Sequence, residues 1–146
     1  MTMINMDAQR WLRQAQEDMA TAIVLFEAER YAPCAFFCQQ AVEKGLKAVL
    51  YSAGERPWGH SIPSLLDQVC AVLGIEAEDA PVGEVEALDE HYMRPRYPDA
   101  QPEQLPEYDL SAAELALEQA RTVLTFAERG CNARTVPDDA AVSDMG

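Results

Sequence analysis

The amino-acid sequence predicts an all-α protein, an up-and-down helical bundle of four main helices plus one short helix. Three observations carry this. Apolar residues recur at helical three-four spacing in four long segments, capping residues, glycines and prolines punctuate the gaps, and strand-type alternation is found nowhere. At 146 residues the chain fits one domain, able to bury about 70% of its unfolded surface. We expect the bundle over residues 1–131 and an acidic, loosely held tail over 132–146.

The first helix is expected from Asp7, read as its N-cap, to about Arg30, with Ala8, Trp11, Leu12, Ala15, Met19, Ala22, Ile23 and Phe26 as its buried stripe. Tyr31-Ala32 then makes the corner, and Pro33 opens a second helix that stops at Gly54. Its apolar set (Cys34, Phe37, Cys38, Ala41, Val42, Leu46, Val49 and Leu50) covers well over a third of the circumference, which predicts the central helix. Ser61 caps a third helix ending near Gly74, and an acidic connector runs to Gly83. A short fourth helix is expected over 82–92, followed by an irregular stretch held extended by Pro95, Pro98, Pro102 and Pro106. The capping box Ser111-x-x-Glu114 opens the last helix, which ends at Gly130.

The charge excludes some functions. Eleven bases against 25 acids give a formal net charge of −14, and residues 61–146 hold five of the bases and eighteen of the acids. Such a surface repels phosphate backbones, so binding to duplex DNA through general electrostatics is disfavoured, while a small basic pocket stays possible. No apolar stretch reaches membrane-spanning length and the N-terminus has no signal-like pattern, which predicts a cytoplasmic protein. Cys34, Cys38, Cys70 and Cys131 form no Cys-x-x-Cys, so reduced, mostly buried thiols are expected, with no metal and no cofactor.

Three features exceed what a bare bundle needs. On the central helix, Gln40, Lys44 and Lys47 line the face left by the apolar set, Glu43 is placed to pair with Lys47 in the favourable i, i+4 order, and Gly45 implies close approach of another helix or chain. His60 precedes the cap of the third helix, as a packing residue or a site residue. Arg94-Pro95-Arg96-Tyr97-Pro98-Asp99 sets two guanidinium groups and a carboxylate on a proline-stiffened loop: either an anion site, since guanidinium pairs phosphate in a bidentate fork, or an internal Arg-Asp bridge.

Taken in order, Trp11, Ala15, Asp18 and Ala22, then Tyr31, Ala35 and Phe36, then Gln39-Gln40-Ala41-x-Glu43-Lys44-x-Leu46-Lys47, then His60-Ser61-Ile62 with Leu65-Leu66, and finally Arg96-Tyr97-Pro98-Asp99 resemble a HEPN domain over about residues 8–130. The resemblance implies a homodimer, often encoded beside a minimal nucleotidyltransferase, and a role in nucleotide binding, in partner binding or in metal-independent RNA cleavage. Similar ribonucleases use an Arg followed after four to six residues by a His. Here His91 precedes Arg94 and Arg96, and Arg56 reaches His60 across only three residues, so that pattern is absent. No Ser/His/Asp set or paired carboxylates stand in its place. The reading favoured is therefore a nucleotide- or partner-binding module acting with a nucleotidyltransferase, with Lys44, Lys47, His60, Arg94, Arg96, Tyr97 and Asp99 as ligand-binding candidates and no catalytic residue assigned. The alternative is a ribonuclease of this type with a non-standard His.

Overall fold

A computed structural model of the chain describes residues 5–95 and 107–133. These form the expected up-and-down bundle: α1 (Met6–Glu27), α2 (Tyr31–Ser52), α3 (Ile62–Leu73), the short α4 (Val82–Asp89) and α5 (Leu110–Ala133), with single 3-10 turns at Ala77–Asp79 and Glu90–Tyr92. Among the described residues there is no strand.

The broad apolar face of α2 puts it at the centre, in contact with each of the other four helices. Thirteen of its twenty-two residues are buried, against five of twenty-two in the narrow-striped α1. Burial this complete includes polar groups: Gln39, Glu43 and Lys47 are buried on α2 and have to be satisfied there. Gly45 is the close approach that its helix-interior position implies, but within one chain. A Cβ at that position would lie 2.8 Å from Leu124 Cδ2 of α5 and 4.0 Å from Ala15 Cβ of α1.

Local signals placed the boundaries to within a few residues. Ser61 caps α3 as expected, its Oγ accepting from Ser64 N at 3.4 Å, and Gly74 closes it in the left-handed conformation at φ 68°. Two caps differ. Asn5, rather than Asp7, caps α1, its side-chain oxygen accepting from Ala8 N at 2.8 Å, and Asp109 does the same for α5 through Ala112 N at 2.8 Å, displacing the Ser111 box. The α1–α2 corner falls on residues 28–30, where Glu29 takes φ 60°, so Tyr31 and Ala32 already belong to α2. The helix expected over 82–92 ends at Asp89 and tightens into the 3-10 turn that delivers His91 and Tyr92. The four cysteines are free thiols, three of them buried.

Candidate functional site

One face of α2 carries Gln39, Glu43 and Lys47 at successive turns, and three other segments converge on it. Glu43 Oε2 accepts from Lys47 Nζ at 3.0 Å and lies 2.9 Å from His60 Nδ1, which the loop before α3 supplies. An ionised carboxylate only accepts, so His60 Nδ1 must carry the proton in this contact. The side chains of Glu43 and Lys47 are almost sealed, at 6% and 10% exposed, whereas His60 is 66% exposed. A buried carboxylate thus holds an imidazole at the surface.

Aromatic rings wall both ends of this arrangement. The imidazole of His60 lies nearly parallel to the Tyr92 ring, 12° apart with centroids 6.1 Å apart, and Tyr92 packs on Phe36. At the other end Lys47 Nζ sits 5.3 Å above the Trp11 ring, which stacks on Tyr51 at 5.7 Å. Beyond Trp11, where α1 begins and α2 ends, opens a cleft of about 640 Å³ bordered by Asn5, Asp7, Tyr51, Glu55 and Arg56. Two side-chain atoms on α2 are sealed without a hydrogen-bond partner among the described residues: Glu43 Oε1 and Gln39 Nε2. The Gln39 carbonyl oxygen accepts from Gln40 Nε2 at 2.7 Å.

A second cluster sits where the 3-10 turn meets the approach to α5. His91 is buried, and its Nδ1 lies 2.6 Å from the Tyr108 hydroxyl. Desolvation, reinforced by the charge of Arg94, pushes the His91 imidazole down to about 4, so it is neutral at physiological pH. Burial pushes the Tyr108 phenol up to about 12, against the opposing pull of Arg94. The Arg94 guanidinium lies 4.6 Å above the Tyr108 ring and 3.3 Å from Glu90 Oε1.

Of the sequence candidates, the structure brings Lys47 and His60 together on one carboxylate. Lys44 points to α1 instead, in an ion pair with Asp18 at 2.7 Å, and Arg94 belongs to the His91–Tyr108 cluster. The described cations among the candidates thus fall into three groups: Lys47 and His60 on Glu43, Lys44 on Asp18, and Arg94 on Glu90. Arg96, Tyr97 and Asp99 lie outside the described residues. Sequence reasoning missed Trp11 and Tyr92 as site walls, because each matched a helix's apolar stripe, and missed Tyr108, for which no spacing signal exists. Among the described residues no group of three or more His, Cys, Asp or Glu could hold a metal ion, and no helix is long and apolar enough to cross a membrane.

The family model of the HEPN domain matches residues 8–130. The chain belongs to the HEPN family. It is 31% identical over 126 residues to "Putative toxin MJ1304" of Methanocaldococcus jannaschii, covering 80% of this chain and 83% of that one. Among solved structures it is similar to TT1696 from Thermus thermophilus, with a TM-score of 0.76 at 34% identity over 84% of this chain and 97% of that one. It is also similar to ST0689, an archaeal HEPN homologue, with a TM-score of 0.70 at 26% identity over 87% and 99%. These likenesses take in the helices that build both clusters, so a HEPN bundle is the frame that carries Glu43, His60 and His91.

Proposed function

We propose that this HEPN domain is the binding member of a toxin–antitoxin-like pair: a cytoplasmic homodimer that takes a nucleotide and acts with a minimal nucleotidyltransferase. The observation that carries the reading is the convergence of Lys47 and His60 on Glu43 between the faces of Tyr92 and Trp11. An oriented imidazole set beside aromatic rings suits a nucleoside, whose base can pack along the His60–Tyr92 pair and whose ribose brings hydrogen-bonding hydroxyls. Among the described residues the site offers a single imidazole with no nucleophile or second acid in contact with it, which suits binding better than bond cleavage. The name of the Methanocaldococcus relative supports the toxin half of the reading, and the family membership supports the pairing.

Calorimetric titration with ATP tests it. Binding in the micromolar to millimolar range, weakened about tenfold in His60→Ala, is expected; no heat with any nucleoside triphosphate would remove the nucleotide. Light scattering should give twice the 16.2 kDa chain mass, and co-expression should recover a complex with the transferase encoded nearby. The ribonuclease reading has one observation in its favour: Arg94 lies close enough to His91 to depress it. Cleavage of a labelled RNA that is lost in His91→Asn would establish it. We expect none above background, because His91 is buried and its Nδ1 is engaged by Tyr108.

A further inference from the structure

We propose that the Glu43–His60 pair is a ribose-hydroxyl site, in which His60 Nε2 accepts a hydrogen bond from a 2′- or 3′-hydroxyl of the bound nucleotide. The inference rests on the nucleotide reading above and names the group that this imidazole takes. Its starting point is the tautomer. Glu43 Oε2 already accepts from the Lys47 ammonium at 3.0 Å, and an oxygen serving as acceptor on that side meets His60 at 2.9 Å with the imidazole proton on Nδ1. In the neutral ring the lone pair then belongs to Nε2, the nitrogen on the opposite edge.

That edge is the open one. His60 is 66% exposed although its Nδ1 side rests on a carboxylate only 6% exposed, so the exposure falls on the part of the ring that carries Nε2. The ring's orientation is fixed by two contacts rather than one. Glu43 holds its edge and Tyr92 lies alongside it, nearly parallel at 12° with centroids 6.1 Å apart. An acceptor locked in this way has already lost its rotamer freedom, so a hydroxyl donor gains the hydrogen bond with little further ordering. The requirement on the ligand is a donor hydroxyl next to a flat ring able to share the aromatic surface, and a nucleoside has both. A phosphate lacks the donor: its ionised oxygens only accept, and Nε2 of this tautomer offers them nothing.

Glu43 is accordingly a positioning residue and His60 the ligand-touching one. Two measurements on the full chain test the assignment. In nitrogen-15 spectra of the histidine side chains, assigned with His60→Asn, His60 should show the Nδ1–H neutral tautomer at pH 7.5 and should lose that preference in Glu43→Gln. A protonated ring or an Nε2–H tautomer at that pH would overturn the proposal. In calorimetry, wild type should bind ATP about tenfold more tightly than the analogue lacking both ribose hydroxyls, and that ratio should fall to about one in His60→Ala, whatever the absolute affinity. Equal affinity of wild type for ATP, the dideoxy analogue and inorganic tripolyphosphate would overturn the hydroxyl site and leave the nucleotide reading standing as phosphate recognition. Absence of binding by all three would overturn both.

Discussion

The two histidines of this domain occupy opposite environments. His60 stands at the surface on a buried carboxylate, and His91 is enclosed against a tyrosine hydroxyl. The same imidazole gains a fixed orientation in each place, yet only the first keeps an open edge. Burial of His91 removes its charge, since desolvation favours the neutral ring. Burial of Glu43 is compatible with charge because Lys47 is buried beside it. One cluster therefore stores an ion pair under an exposed ring, and the other is a neutral hydrogen bond that ties the 3-10 turn to the start of α5.

The sharpest test of this contrast removes the carboxylate. Glu43→Ala leaves the Lys47 ammonium, 10% exposed, without its partner, and should destabilise the fold by about 3 to 5 kcal/mol in urea denaturation. Replacing both, as in Glu43→Leu with Lys47→Met, should recover most of that, because the desolvated charges disappear together. Glu90→Ala removes an acid that is 52% exposed from a guanidinium that is 12% exposed but keeps its contact with the Tyr108 ring, and should cost less, about 1 to 2 kcal/mol. Equal losses for Glu43→Ala and Glu90→Ala would abolish the distinction between the two clusters.

The next effect is pH dependence. His91 falls from 6.5 to about 4 on folding, so between those values the unfolded chain binds the proton that the folded chain refuses. Its contribution is neutral to stability above 6.5 and becomes an increasing penalty as pH falls toward 4, reaching on the order of 2 to 3 kcal/mol. Asp89, which burial raises, contributes with the opposite sign, so the comparison to make is wild type against His91→Phe. The difference between their urea-melt stabilities should drift by that amount between pH 7 and pH 4. A constant difference would show that His91 takes up its proton in the folded state.

How much of this was legible in the sequence depends on how far apart the partners are. Ser61 and Gly74 act within one turn of α3, so capping chemistry located them, and Glu43–Lys47 followed from the i, i+4 rule. The caps at Asn5 and Asp109 were missed because a neighbouring residue, Asp7 or Ser111, offered a similar local signal, and the packing of the whole helix decides between such neighbours. His60 joins Glu43 across seventeen residues and Lys44 joins Asp18 across twenty-six, and in both cases a loop or helix crossing sets the contact. Periodicity marks Trp11 as apolar; it has no means of showing that the outer face of the ring would lie under a lysine.

A smaller effect separates the neutral cluster from the charged one. Tyr108→Phe deletes the hydroxyl 2.6 Å from His91 Nδ1 and leaves that nitrogen buried without this partner, which should cost about 1 to 3 kcal/mol. The ring itself stays under Arg94, so the cation–π contact at 4.6 Å survives the substitution. Thermal melts of the two proteins read the effect directly. A variant as stable as wild type would mean that His91 is satisfied elsewhere and that the hydroxyl is incidental.

The smallest expected effect is the most diagnostic. His60→Ala removes a side chain that is 66% exposed and donates one hydrogen bond to Glu43, so its loss should change stability by no more than about 0.5 kcal/mol. Lys47 remains to neutralise Glu43, and Tyr92 keeps its packing on Phe36. His91→Ala, by contrast, opens a cavity behind Tyr108 and should cost several times as much. Paired urea melts of the two alanine variants put the contrast on one scale. A loss above about 1.5 kcal/mol for His60→Ala would place it with His91 as a structural residue, since an exposed imidazole that the fold itself depends on would no longer need a ligand to account for its position.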